Sequence, residues 1–328
     1  MNPTSKHLSW NILCVIGSSL LIADCFSAQS NDIPTKPIRV LVGMVPGGGT
    51  DITARAVAQK LGERLGQLVI TDNRAGASGA IAREIVRSSA PDGHTLLLLT
   101  SSQIVNANMV QKDPVDIRDA FSHITLLVWY PYLLVSHPSA PIKSMKDLLA
   151  YAKSKPGALN YGTPGIGTTA HLGTELLNHI AKIDMVHVPY KGSGDVVRDL
   201  LGGQLMISFA SAISTMPHVK SGKLRLVAVS SEKRSRYMPD APTVAEGGVP
   251  GYDLTGWYSM ATAPRTPRNI VMRLNKEIAA SLDSPELQKN FAADAAETEP
   301  TSPEQLKEKI NQELKKWGDL LAAGGIKL

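Results

Sequence analysis

Cysteine is nearly absent from this 328-residue sequence: there are two, Cys14 and Cys25, both near the start. They cannot supply a disulfide framework or a thiolate metal site. Aromatic residues make up only 5 % of the chain. Charge of one sign is not concentrated either. The 34 Lys and Arg face 29 Asp and Glu, and no basic block interleaves with aromatics. That pattern argues against nucleic acid as a partner. A formal charge of +5 suits anionic ligands only weakly. No apolar run reaches the roughly 20 residues that span a bilayer. The run Ile12 to Ile22 follows Lys6 and His7 and precedes Ser27-Ala28. This is the layout of a secretory signal over residues 1–28, cleaved near Ala28. Cys14 leaves with it, and the periplasm is the expected compartment. Lipid anchoring at Cys25 is the alternative, but Asp24 departs from the small residue that such a site wants.

Glycine and proline are plentiful, 27 and 21. The chain is organised around Met44-Val-Pro46-Gly-Gly-Gly-Thr50-Asp51. An apolar β-type run, Ile38 to Val42, precedes it. A helical pattern of Ala54, Val57, Ala58, Leu61 and Leu65 follows, closed by Gly66. Glycines in such a turn remove side chains from the path of a ligand. The free N–H groups of the first helical turn favour an anion. Thr50 or Asp51 suits the N-cap. The spacing is neither G-x-G-x-x-G nor a P-loop. The turn therefore suggests a small anion, specifically a carboxylate, held by the backbone. A tight strand-to-helix connection with no ligand is the competing reading.

The same device recurs. Turns rich in glycine and small hydroxyl residues follow strand-like runs at 46–50, 76–79, 100–102, 162–169 and 190–194. Strands and helices alternate throughout, which predicts parallel α/β sheets. Ligands of such sheets sit outside the carboxyl ends of the strands. Strands are expected at Leu68–Ile70, Thr95–Leu99, Ile124–Trp129, Leu133–Val135, Leu159–Tyr161, Met185–Val188, Leu205–Ala210, Leu224–Ser230 and Leu254–Thr262. Later helices are expected to open at Thr266-Pro267, Ser284-Pro285 and Ser302-Pro303, each with proline at the first helical position. Two sheets facing each other across a cleft would aim all the turns at one molecule, as in a hinged receptor.

Other chemistry finds little support. There is no G-x-S-x-G, and no histidine has triad context by sequence. His171, Glu175 and His179 share a helix face and could ligate a metal, but H-E-x-x-H is absent and a polar flank explains them. Asp51, Asp72 and Asp195 each have a capping or turn role. Tyr190-Lys191 reads equally as an anion clamp or a solvated turn. Trp257-Tyr258 is expected to pack between domains. No cofactor and no metal is expected.

Taken together, these motifs resemble the periplasmic substrate-binding receptors of tripartite tricarboxylate transporters, the Bug type. The resemblance is carried by Lys36-Pro-Ile-Arg39 running into Pro46–Asp51, Asn73-Arg-Ala-Gly-Ala-Ser-Gly79 and Pro91-Asp-Gly-His-Thr95. Asn160-Tyr-Gly162, Gly165-Ile-Gly-Thr168, His171-Leu172 and Val188-Pro-Tyr-Lys-Gly192 extend it. Ser221-Gly-Lys-Leu-Arg225, Pro239 to Glu246, Gly248 to Tyr252 and Trp257 complete it. The resemblance implies a two-domain α/β periplasmic binding protein fold of type II, with a hinge between two mostly parallel sheets. It implies residues 31–131 plus 232–328 as the first domain and 132–231 as the closing one. On the first side it implies ligand contacts at Pro46, Gly48, Gly49, Thr50, Gly76, Ser78, Ser101 and Ser102. On the second it implies Thr163, Gly165, Thr168, Thr169, Tyr190 and Ser211. It implies a non-enzymatic receptor, expected to be a monomer, that captures a small organic carboxylate and delivers it to a membrane permease. A sensing receptor and, more remotely, a hydrolase-like periplasmic enzyme are the alternatives. Two departures stand out. Arg74-Ala75-Gly76-Ala77 replaces the usual Arg-Pro-Gly-Ala. Phe209-Ala210-Ser211 lies where members commonly carry an acidic residue, which argues against an amino-acid ligand.

Overall fold

The computed structural model describes residues 36–107 and 115–322. The expected signal segment and both cysteines lie outside the described residues. The chain opens with β1 (Ile38–Val42), α1 (Gly49–Leu65), β2 (Val69–Asn73), a 3-10 turn at Ala77–Gly79, α2 (Ala80–Arg87), β3 (Thr95–Thr100) and α3 (Ser101–Val105). β1 pairs in parallel with both β2 and β3. The four leucines of β3 are buried on both faces, because helices cover both sides of a parallel sheet. Leu96 and Leu98 join one apolar cluster, Leu97 and Leu99 another, as the two-residue strand period requires. α1 buries Ala54, Val57, Ala58 and Leu61 and ends at Gly66 in the left-handed region.

The strand β4 (Ser122–Ser136) organises the rest. The sequence predicts two strands here, broken around Pro131; the structure has one of 15 residues. Through Pro131 it pairs antiparallel with β9 (Thr255–Thr262), which pairs in turn with β3. From Tyr132 onward it pairs with β7 (Ile207–Ser211) and β8 (Arg225–Val229) in a second set of strands. Pro131 lacks an N–H and sits where the ladder changes partners, so no bond is missed. Between these come α4 (Met145–Ser154), β5 (Leu159–Thr163), α5 (Thr169–Ala181), β6 (Met185–Pro189) and α6 (Ser193–Leu201), and after β7 comes α7 (Ala212–Lys220). β5 runs parallel to β6 and β7. The chain returns at Ser230, which accepts from Tyr132 N at 2.8 Å and donates to the Leu254 carbonyl. α8 (Arg268–Leu282), α9 (Pro285–Ala293), the short β10 (Glu297–Thr298) and α10 (Pro303–Ala322) close the chain.

Some local expectations are corrected. Ser101 and Ser102 open α3 instead of forming a turn, because Thr100 and Gln103 make a reciprocal capping box. α7 is absent from the sequence reading; Pro217 lies inside it and disguised it. Pro267 is the N-cap of α8, one position earlier than expected. Ser284-Pro285 and the Ser302/Gln305 capping box form as predicted.

Candidate functional site

Four of the five segments, 46–50, 100–102, 162–169 and 190–194, bring residues to one gap, and 76–79 does not. Its described lining carries no charged side chain. Thr50, Thr100, Ser102, Thr168, Ser193, Ser208 and Ser211 bring hydroxyls, with Tyr130, Tyr132 and Tyr258. Met44, Pro164, Val196, Phe209 and Ala210 supply the apolar part. Its volume is about 30 Å³, space for little more than ordered water.

The loop after β1 meets the start of α6 face to face. A Cβ on Gly48 would lie 3.2 Å from Ser193 Cβ and 3.3 Å from Gly194 N. One on Gly49 would lie 2.7 Å from Tyr258 OH and 2.8 Å from Ser211 Oγ. Gly194 is closed in by the Pro46 carbonyl. Glycine is therefore required here for the close approach of these segments to one another. The expected N-cap of α1 is corrected: the cap is Gly48, and no side chain caps the helix. Thr50 and Asp51 stand inside the first turn. Thr50 is 5 % exposed and its hydroxyl has no partner among the described residues, an unusual state for a buried polar atom. Asp51 turns away, accepting from Gly47 N at 3.0 Å and pairing with Arg55 at 2.9 Å. Burial would raise its pKa, but the bonds from Arg55 and Gly47 outweigh that and hold it below the ordinary carboxylate value. Asn73 braces the loop by donating to the Met44 carbonyl at 3.1 Å.

The far side is held together by its own hydroxyls. Ser102 Oγ accepts from Thr169 N at 2.9 Å, and Ser101 Oγ lies 3.5 Å from Thr169 Oγ1. Thr168 caps α5 and donates to the Gly165 carbonyl at 2.8 Å. Three tyrosines join the two sides. Tyr130 lies 4.8 Å from Tyr258 and 5.5 Å from Tyr132, ring to ring. Burial raises the pKa of all three hydroxyls, so they stay protonated and can donate.

Of the fourteen residues expected at the ligand, Thr50, Ser102, Thr168 and Ser211 line the gap. Gly48, Gly49, Ser101 and Thr169 stand directly behind that lining. Ser78 and Gly165 approach each other, a Cβ on Gly165 lying 3.1 Å from Ser78 Oγ. Pro46 is exposed, and Gly76 packs against Ile81. Thr163 is engaged by His187 at 2.6 Å and by the Gly165 carbonyl. Tyr190 gives its hydroxyl to Asp199 at 3.0 Å. Sequence reasoning missed Tyr130, Tyr132, Ser193 and Ser208, and assigned Tyr258 only to packing. The two-residue spacing of Tyr130 and Tyr132 was the available signal, since it places both on one strand face. His171 is turned to Gly167 N and stacks on His187, while Glu175 accepts from Tyr161. No group of three metal-ligating side chains gathers among the described residues.

The pattern of the tripartite tricarboxylate transporter family receptor matches residues 53–326. The chain belongs to that family. It is 35 % identical to protein BugT of Bordetella pertussis over 322 residues, covering 97 % of this chain and 98 % of BugT. The periplasmic binding protein BugD superposes with a TM-score of 0.85 at 30 % identity, covering 90 % of this chain and 99 % of BugD. An R. palustris protein solved with adipate gives 0.84 at 34 % identity, with coverage of 89 % and 98 %. The fold is therefore the α/β periplasmic binding protein fold, and the family consists of solute-binding receptors, not enzymes.

Proposed function

We propose that this receptor captures a small organic carboxylate in the gap and passes it to a membrane permease, after export through its N-terminal segment. One observation carries the reading: three helices, α1, α6 and α7, begin at the gap without side-chain caps at Gly48, Gly192 and Ser211. Unpaired N–H groups and the positive helix ends make such a place attractive to an anion. The adipate-bound relative supports a carboxylate. The uncharged Phe209-Ala210-Ser211 lining carries no carboxylate to pair with an ammonium group, which supports a simple acid over an amino acid. We further propose that residues 31–131 with 232–328 form one lobe and 132–231 the other, hinged where β4 and the Ser230–Leu254 return cross. The ligand reaches the gap when the lobes part, and contacts from both sides favour closure.

A thermal-shift screen of short mono- and dicarboxylic acids and aromatic acids, with aspartate and glutamate as controls, tests the capture step. A simple acid should raise the melting temperature through its preference for the folded state. No shift from any acid, or a shift from amino acids alone, contradicts the reading. Uptake of the stabilising acid by cells lacking this gene tests delivery; undiminished uptake contradicts it.

A further inference from the structure

The two sides of the gap differ in a way that bears on the charge of the ligand. On one side α1 and α7 meet at Gly49, Ser211 and Tyr258, with the start of α6 against Gly48. All three helix starts lack side-chain caps. Thr50, buried and unpartnered at its hydroxyl, lines the gap there. On the other side the helix starts are already engaged. Thr100 and Gln103 cap α3 reciprocally, Thr168 accepts from His171 N, and Ser102 takes the Thr169 N–H. No charged side chain lines either side.

We infer that the gap has one anionic pole, at Thr50 and the starts of α1, α6 and α7, and one neutral pole, at Ser102, Thr168 and Tyr132, so that its ligand carries one carboxylate and an uncharged far end. This rests on the carboxylate reading above. A carboxylate at the first pole meets unengaged N–H groups, a free hydroxyl and aligned dipoles. A second one at the far pole would be buried among groups already bonded to each other, with no cation to neutralise it. The row Tyr258, Tyr130, Tyr132 connects the poles and suits an apolar or aromatic middle.

Isothermal titration of the purified chain with adipate, adipic monoamide, hexanoate and adipamide separates the possibilities at constant length. The monoamide and hexanoate should bind at least tenfold tighter than adipate, a gap of about 1.4 kcal/mol. Adipate binding equally or more tightly overturns the single-charge inference and leaves carboxylate capture standing. Binding of neutral adipamide as tight as the monoamide, or no binding by any acid, overturns both. Thr50→Val should weaken the monoamide about tenfold while leaving the melting temperature of the free protein unchanged. Unchanged affinity removes Thr50 from the anionic pole and overturns its assignment.

Discussion

At the residue scale, the proposed recognition depends on what Gly48 and Gly49 leave out. Gly49 is helical, so alanine there is conformationally acceptable and favoured over glycine by nearly 1 kcal/mol. Its Cβ would nevertheless intrude on Tyr258 OH and Ser211 Oγ. Gly49→Ala should therefore lower ligand affinity at least tenfold, read by titration. Gly48 has φ −85°, which any residue adopts. Gly48→Val should likewise cost at least tenfold, because its side chain meets Ser193 and Gly194 across the gap. Unchanged affinity in both variants would move the ligand elsewhere. The glycine turn was legible because glycine and a following apolar helix are local signals. The tyrosines were not. Tyr130 falls in the break between two expected strands and Tyr258 reads as packing, and only the β4–β9 pairing brings them together.

At the element scale, β4 and the return after β8 carry the connection between the two sets of strands. Sequence periodicity found most strands and helices to within a few residues, since each buries apolar positions at its own period. It divided β4, because a proline inside a strand normally marks its end, and it missed α7 for a similar reason. Ser230 is fully buried and ties the two crossings together through Tyr132 N and the Leu254 carbonyl. Ser230→Ala would leave a buried N–H and a carbonyl each short of a partner. It should cost about 1–3 kcal/mol per group left unsatisfied, seen as a lower denaturation midpoint. An unchanged midpoint would mean that the crossing does not depend on this serine.

For the whole molecule, acidity sets a limit. Burial, the largest cause in each case, lowers the pKa of His123, His171 and His187 from an ordinary 6.5 to about 4. The unfolded chain binds more protons than the folded one between those values, so stability is lost as pH falls from 6.5 to 4. Asp294, raised by burial from 3.8 to about 6, works in the opposite direction. Three groups against one leave a net loss, and the urea midpoint should be lower near pH 5 than near pH 7; an equal or higher midpoint contradicts this. His171 and His187 support the 163–168 turn through Gly167 and Thr163 and stay neutral in the folded receptor until about pH 4, so that turn should hold its form above that pH.

The proposed mechanism is that main-chain amides and hydroxyls hold the anion where several helices begin, without help from a cationic side chain. A crystal structure with hexanoate tests this most directly. The carboxylate oxygens should lie about 3 Å from the N–H groups opening α1 or from the Thr50 hydroxyl, with no Lys or Arg in contact. A carboxylate paired with a lysine or arginine, or seated outside the gap, would contradict it.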